Sequence, residues 1–115
     1  MLNLDNLYHM CSYKDVRSIV HTFFDTKNEE VIMIYYSERS FCVCIYSYHS
    51  EGYLENRGFY KKYEYENIKD KIYNFCSKFT ILDNLITPLS YISNRCSEVK
   101  REIRIFKIKN ILNNL

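Results

Sequence analysis

Two neighbouring runs of the chain are apolar at both odd and even positions, and they constrain the fold more than any other feature. The first run covers 31–36 and the second covers 41–48; both are rich in β-branched and aromatic residues. A strand that is apolar on both faces is covered on both sides. Residues 37–40 supply a turn between the runs, so the sequence predicts an antiparallel hairpin at the centre of a sheet.

Glycine and proline, which usually mark turns, are almost absent from the chain. Only Gly52, Gly58 and Pro88 occur, and alanine, glutamine and tryptophan are missing altogether. Twelve tyrosines and seven phenylalanines accompany many isoleucines, asparagines and lysines. This composition is typical of an AT-rich genome, such as that of a large DNA virus or an intracellular parasite. Tyrosine content alone is therefore no sign of a binding surface.

The segment before the hairpin has helical spacing in two phases. Apolar residues recur three and four positions apart, first within 4–11 and then within 16–23. Ser12 lies where the phase changes, and it opens a Ser-x-x-Asp pattern related to a helix capping box. The sequence therefore predicts two short N-terminal helices, with one continuous bent helix as the alternative.

The segments after the hairpin combine polar and amphipathic stretches. Residues 49–58 are polar and hold both glycines, which predicts a loop, and 59–66 fits either an edge strand or the lead-in to a helix. An amphipathic helix is predicted over 68–79. A second helical segment over 81–89 kinks, breaks or begins anew at Pro88.

The closing segment is rich in β-branched residues. They favour a strand over 99–109, and a helix that continues to Leu112 and Leu115 is the alternative. Residues 110–115 are expected to fray. We therefore predict a single α+β domain over 1–115, with N-terminal helices, an antiparallel sheet of three or four strands around the central hairpin, two later helices and a closing strand.

Length and charge are compatible with this fold. A chain of 115 residues, 47% hydrophobic and 26% charged, buries a core without metal or disulfide staples. Residues 1–60 carry five Lys/Arg against eight Asp/Glu, a net charge of −3, and 61–115 carry eleven against six, a net charge of +5. This asymmetry suits mutual docking or a polarised surface, whereas a dedicated nucleic-acid binder is usually more basic overall.

Five cysteines, an odd number at scattered spacings, indicate reduced thiols. The first ten residues lack the basic and apolar parts of a secretion signal, and no apolar run approaches the ~20 residues of a membrane span. We therefore expect a soluble intracellular protein of the cytoplasm or nucleus.

Cys42 and Cys44 share one face of a predicted strand, as zinc ligands do. With His21 or His49 they supply half of a zinc site, which needs two ligand pairs. Because the second pair is missing, we interpret the two thiols as small core residues and predict no metal site.

No pattern of an enzyme site occurs in the sequence. No glycine lies next to a cysteine, and two glycines six positions apart without a following Lys-Ser or Lys-Thr do not make a phosphate-binding loop. We predict no catalytic residue and no cofactor, and we disfavour an enzyme. A catalytic site scattered over the fold stays open as an alternative.

Basic and aromatic residues are interleaved in two stretches, which is the most informative functional pattern. Exposed rings stack on unpaired bases while Lys and Arg contact phosphates, as on sheets that bind single-stranded RNA. A solvated edge strand carries the same charges without any ligand. The candidate binding residues are Tyr46, Tyr48, Tyr60, Lys61, Lys62, Arg101, Arg104, Lys107 and Lys109.

The leading hypothesis is a small non-enzymatic intracellular protein that binds another macromolecule, foremost a protein partner. The alternative is RNA or ribonucleoprotein binding through a Tyr-rich sheet and the basic closing strand. An enzyme that uses a cysteine ranks third.

Overall fold

In the part of the chain that the structure describes, five strands follow one another and pair antiparallel in sequence order, which makes one sheet. A computed structural model describes residues 2–38, 40–49, 53–60, 66–83 and 88–114, apart from the side chain of Asn110. The strands are β1 (Leu7–Asp15), β2 (Ser18–Asp25), β3 (Glu30–Tyr36), β4 (Phe41–His49) and β5 (Tyr53–Phe59). The helices are α1 (Lys69–Cys76) and α2 (Pro88–Asn113), and 3₁₀ turns cover Leu4–Asn6 and Glu66–Ile68.

A helix covers each face of the sheet. On one face, called the α1 face, Ile72 and Cys76 pack with Ile32 and Ile34. The other face, called the α2 face, has the larger core. Its buried residues are Met10, Cys11, Tyr13, Val20, Phe24, Val31, Met33, Cys44, Ile92, Cys96, Val99 and Ile103. The sheet is therefore the middle layer of three, in an α+β arrangement.

The doubly apolar hairpin is confirmed at the centre of this sheet. Val31 and Met33 belong to the core of the α2 face, whereas Ile32 and Ile34 belong to that of the α1 face, and all four are fully buried. Burying each side chain of this size contributes about 1.5–3 kcal/mol. The two helix layers therefore pack on opposite sides of the same strand.

The predicted N-terminal helices are wrong, because residues 7–25 form the β1–β2 hairpin. Residues 10–13 and 20–25 are buried without interruption, so the alternation of apolar and polar residues that marks a strand is absent. The turn also lacks glycine and asparagine. Val16 lies there with a φ of 50° and is 87% exposed. A β-branched residue in this left-handed region costs about 1–2 kcal/mol, so the sequence carries no turn signal.

The predicted closing strand is wrong as well, because 99–109 belongs to α2. The buried apolar residues of α2 recur four, three and four positions apart, at Ile92, Cys96, Val99 and Ile103. The alternative of a helix that passes Leu112 is confirmed, so the segment through Asn113 is helical rather than frayed. The helix begins at Pro88, whose fixed φ suits a first helical position.

The other predictions hold in part. The helix predicted over 68–79 is confirmed, although α1 is shorter. Much of the predicted 49–58 loop is β5, which makes five strands instead of three or four. Residues 50–52 and 61–65 lie outside the described residues. Of the two alternatives for 59–66, the strand holds at Phe59, which ends β5, and the lead-in to a helix holds at Glu66, which begins the 3₁₀ turn before α1.

A short extended segment borders the outer edge of β1. Leu82 N donates to Ser12 O at 2.8 Å, and Lys14 N donates to Leu82 O at 3.1 Å, which makes a parallel bridge between Tyr13 and Leu82. Of the helical segment predicted over 81–89, Leu82 forms this bridge and 88–89 begin α2, whereas 84–87 lie outside the described residues.

Candidate functional site

The distal half of α2, residues 104–113, carries a concentration of exposed apolar side chains. These side chains are 48% to 62% exposed, although residues of their type usually lie inside. They are Ile105, Phe106, Ile108, Ile111 and Leu112. Clustered exposed apolar surface of this kind marks interaction sites.

Three of these side chains lie on the side of α2 that faces away from the sheet. At about 100° per residue, Ile105, Ile108 and Leu112 share one face of the helix and lie opposite the buried Ile103. We call these three residues the outer stripe. Their position means that the sheet of the same chain cannot bury them.

Exposed cations alternate with these apolar residues. Arg101, Arg104, Lys107 and Lys109 are all exposed, and within the described part of the chain none of them forms a salt bridge. No acidic residue occurs in the distal half. The distal half therefore presents apolar contact area together with uncompensated positive charge.

The proximal half of α2, residues 88–103, is instead tied to the sheet. Arg95 Nη1 donates to Glu102 Oε1 at 2.8 Å and to Glu98 Oε2 at 3.0 Å, and Tyr8 OH donates to Glu102 Oε2 at 2.7 Å. The hydrogen bonds from Arg95 and then Tyr8 hold the pKa of Glu102 below its ordinary value. This ionised carboxylate joins β1 to α2, and we call the four side chains the β1 clasp.

A cavity of about 220 Å³ lies between α2 and the loop that joins β2 to β3. The buried side chains of Phe24 and Ile103 form its apolar floor. Its walls are mostly cationic. They contain Lys100, Arg104 and Lys107 from α2, with Thr26 and Glu29 from the loop.

The loop beside this cavity has a fixed shape. Asp25 Oδ1 accepts hydrogen bonds from the backbone N–H groups of Lys27 and Asn28, at 2.9 Å and 3.1 Å. Glu29 N donates to Asp25 O at 2.8 Å, and Glu29 closes the turn with a φ of 54°. The loop wall of the cavity is therefore preorganised.

A buried chain of hydrogen bonds runs across β1, β2 and β3 on the α1 face. Ser12 Oγ lies 2.8 Å from His9 Nε2 and 2.5 Å from His21 Nδ1. His21 Nε2 lies 2.8 Å from Tyr36 OH. Ser12 and His21 are at most 1% exposed. We call these four residues the buried relay.

A β-bulge in β1 brings the relay together. The β1–β2 register shifts between His9 and Cys11, so Met10 has no partner in β2. Because side chains alternate along a strand, this extra residue places His9 and Ser12 on the same face although they are three positions apart. His9 also stacks on Phe79, with ring centroids 3.8 Å apart.

The relay is uncharged at neutral pH. Burial lowers the pKa of His9 and of His21 to about 4. Two neutral imidazoles and two hydroxyls supply one donor and one acceptor to each of the three hydrogen bonds. Ser12 has no solvent access, so its hydroxyl does not meet a substrate. The relay is therefore a satisfied polar part of the core rather than a nucleophilic site.

The five cysteines are free thiols, and four of them are buried. The Sγ atoms of Cys42 and Cys44 lie 3.7 Å apart, and burial raises the pKa of Cys44 to about 12. Burial also raises the pKa of Cys76 to about 12 and that of Cys96 to about 11. Thiols of this kind are unreactive. Among the residues that the structure describes, no three His, Cys, Asp or Glu side chains are grouped to hold a metal ion.

The predicted tyrosines lie within the layers of the fold. Tyr46 packs against the core of the α2 face, and Tyr48 OH lies 2.8 Å from Ser97 Oγ of α2. Tyr60 is partly buried against the core of the α1 face. The three predicted tyrosines therefore do not form one flat exposed platform.

The predicted cations lie elsewhere. Arg101, Arg104, Lys107 and Lys109 are together on the exposed surface of a helix rather than on a strand. Lys61 and Lys62 fall outside the described residues. The four cations are thus close to the exposed apolar residues of α2 instead of sharing a sheet face with Tyr46 and Tyr48.

Sequence reasoning missed both the outer stripe and the buried relay. The stripe has a signal, because Ile105, Ile108 and Leu112 recur three and four positions apart, but the β-branched isoleucines of this segment favoured a strand. The relay has none, since the bulge at Met10 decides which face His9 occupies.

Comparison of the chain with protein-family models, with curated proteins and with solved structures gave no match. In the described ranges no helix combines the length and the apolar character that crossing a membrane requires.

Proposed function

We propose that this protein is a non-enzymatic binding module whose distal half of α2 docks into a groove on an acidic partner protein. The observation that carries the proposal is the exposure of five large apolar side chains, 48% to 62% each, in one half of a helix. Helices bind grooves through such residues when they recur three and four positions apart. The outer stripe has this spacing.

The positive charge of the distal half indicates that acidic side chains line the rim of the partner's groove. Arg104, Lys107 and Lys109 have no salt bridge within the described residues, so carboxylates of a partner are free to pair with them. Complementary charge of this kind steers association and selects the partner. A second copy of this chain brings the same positive charge against itself, which is unfavourable. The charge therefore supports an acidic partner over a homodimer.

An enclosing groove fits the distal half better than a flat surface does. Phe106 and Ile111 point away from the outer stripe at about 100° per residue, so apolar contact area extends around the helix. Cations lie between the apolar residues instead of on a separate polar face, in contrast to a helix that lies in a membrane surface. Groove walls contact all of these side chains at once.

RNA is the competing partner, and the exposed cations still support it whereas the tyrosines do not. The four exposed cations of α2 suit contacts with phosphates. The base-stacking part is weaker, because Tyr48 is engaged with Ser97 and Lys100 of α2. We therefore treat RNA as an alternative outcome of the same experiment.

A photoreactive amino acid in place of Ile108 tests the docking surface. Asn94 is the matched control position, because it is exposed and lies on the same side of α2 in the proximal half. In an extract of the cells that naturally make the protein, we expect crosslinking from position 108 and not from position 94. Mass spectrometry should place the crosslink in a protein segment that combines Asp or Glu with large apolar residues.

Substitutions then measure the contribution of the stripe. The double variant Ile105→Asp, Leu112→Asp should lower affinity for the crosslinked partner at least about 100-fold, because burying each side chain is worth about 1.5–3 kcal/mol. Asn94→Asp, which adds the same charge at the control position, should change the affinity less than about twofold. Crosslinks to RNA, crosslinks to a second copy of the chain, or equal yields from positions 108 and 94 would each contradict the proposal.

A further inference from the structure

The cavity between α2 and the β2–β3 loop collects positive charge in a concave place. Lys100, Arg104 and Lys107 line it at positions i, i+4 and i+7 of one helix side, and Glu29 stands in the loop wall. These three cations and one carboxylate leave a net charge of +2. The walls therefore attract an anion.

The three cations also repel one another. Lys100 and Arg104 are four positions apart, Arg104 and Lys107 are three apart, and like charges at both spacings destabilise a helix. In the proximal half, by contrast, the positive charge of Arg95 is compensated by an ion pair with Glu102 at 2.8 Å. An anion bound in the cavity supplies the compensating charge that Arg104 and Lys107 lack within the described residues.

We propose that this cavity binds a phosphate dianion. Two negative charges neutralise the +2 of the walls, whereas a monoanion leaves one positive charge over. Arg104 offers a planar set of N–H donors that matches phosphate oxygens, and the two lysines add point charges. The cavity volume of about 220 Å³ exceeds the volume of a phosphate group. The apolar floor formed by Phe24 and Ile103 fits an apolar group bonded to that phosphate.

The cavity and the outer stripe lie on different sides of α2. Lys100, Arg104 and Lys107 flank the buried Ile103, whereas Ile108 faces away from the sheet. The phosphate site therefore does not rest on the proposed docking function. Arg104 and Lys107 also belong to the proposed rim of the groove, but Ile105 and Leu112 do not line the cavity. The Ile105→Asp, Leu112→Asp variant therefore tests docking without changing the phosphate site.

Titration with phenyl phosphate, phenyl sulfate and inorganic phosphate at constant ionic strength tests the site. We expect phenyl phosphate to shift the backbone amide NMR signals of Thr26, Ile103 and Lys107. It should bind at least about tenfold more tightly than phenyl sulfate, which has the same shape and one negative charge. Below pH 6 its affinity should fall, because the second phosphate pKa is about 6.

The comparison with inorganic phosphate identifies the source of the dianion. Tighter binding of phenyl phosphate supports a site for phosphate monoesters, and equal binding supports a site for free phosphate. Equal affinity for phenyl phosphate and phenyl sulfate overturns the proposal. Tighter binding of a single-stranded RNA oligonucleotide than of phenyl phosphate also overturns it, because the phosphodiesters of RNA are monoanions.

Two arginines on the same helix give the matched pair of variants. Arg104→Gln should weaken phenyl phosphate binding at least about tenfold, whereas Arg101→Gln, at an exposed residue that does not line the cavity, should weaken it less than about twofold. Circular dichroism checks that both variants keep their helices. An equal loss in the two variants would assign the binding to the general charge of α2 and overturn the site.

Discussion

The buried relay and the distal half of α2 depart from ordinary protein architecture in opposite ways. The relay places polar side chains inside, with Ser12 0% and His21 1% exposed, whereas the distal half leaves Ile111 and Leu112 62% exposed. The polar side chains are tolerated because each has a hydrogen-bond partner within the relay. The apolar side chains find no such cover among the residues that the structure describes. The first departure is complete within the fold, and the second is the one for which we propose a partner.

Acid is the strongest way to test this comparison, because it acts on the relay and spares the outer stripe. The pKa of His21 is about 4 in the folded protein against an ordinary 6.5, so below pH 6.5 the unfolded chain binds a proton that the folded chain does not. Stability is therefore complete above pH 6.5 and falls as the pH approaches 4. Relative to pH 7.5, we expect a loss in the free energy of unfolding at pH 5 of about 2 kcal/mol from each of His21 and His9, measured by urea unfolding.

A single variant provides the control for this experiment. His9→Phe keeps a ring against Phe79 and removes one titrating group, so it should reduce the pH dependence by the His9 share. Histidine ring signals in NMR should place the titration of His21 near pH 4. A midpoint near 6.5 would show that the ring is solvated, which contradicts the buried relay.

Removing the centre of the relay should have the next largest effect. Ser12→Ala leaves His9 Nε2 and His21 Nδ1 without their partner, and a buried unpaired polar group costs about 1–3 kcal/mol. We expect the free energy of unfolding in urea to fall by about 3 kcal/mol. Ser37→Ala removes an exposed hydrogen bond to Ser40 and should cost less than about 0.5 kcal/mol. Similar losses of stability in the two variants would mean that the buried Ser12 hydroxyl contributes no more to stability than an exposed hydroxyl, which contradicts the relay.

The β1 clasp sharpens the contrast between the two halves of α2. Glu102→Gln removes the charge that holds Arg95 and Tyr8, and a partly exposed ion pair of this kind contributes about 0.5–1 kcal/mol. Lys109→Gln, in the distal half, should leave the free energy of unfolding unchanged within error. Urea unfolding measures the free energy of unfolding of both variants. An equal loss in the two would mean that Lys109 forms an ion pair, which the described residues do not contain.

The smallest effect on stability is expected in the outer stripe. Ile108→Ser should change the free energy of unfolding by less than about 0.5 kcal/mol, because this side chain is already 52% exposed. The same change should weaken partner docking. A loss of stability above about 1 kcal/mol would mean that Ile108 packs on its own chain, which removes the basis of the docking surface.

The central hairpin was predictable because its pattern is local. A run such as 31–36, apolar at every position, has few explanations other than a strand covered on both faces. The same double coverage hid β1 and β2, where it removed the alternation of a strand while Val16 replaced the expected turn residue. Burial on two faces therefore identifies a strand when its turns are polar and obscures it when they are not.

The candidate sites depend on information that is not local. The sequence groups the four cations of α2 into one binding cluster, but it favours a strand there because isoleucine is common in both the core and the exposed face of this helix. The relay depends on one unpaired residue, Met10, which changes the face that His9 occupies. No spacing in the sequence reports such a bulge, because it is determined by the pairing with β2.

The bridge at Leu82 has a consequence for the behaviour of the chain in concentrated solution. A sheet with a free edge recruits further strands, and natural proteins cover or charge their edges to prevent fibre growth. Leu82 occupies hydrogen-bonding groups of Ser12 and Lys14 on the edge of β1, while β5 exposes Glu55 and Arg57. Leu82 thus blocks the pairing of a neighbouring chain with this part of the β1 edge.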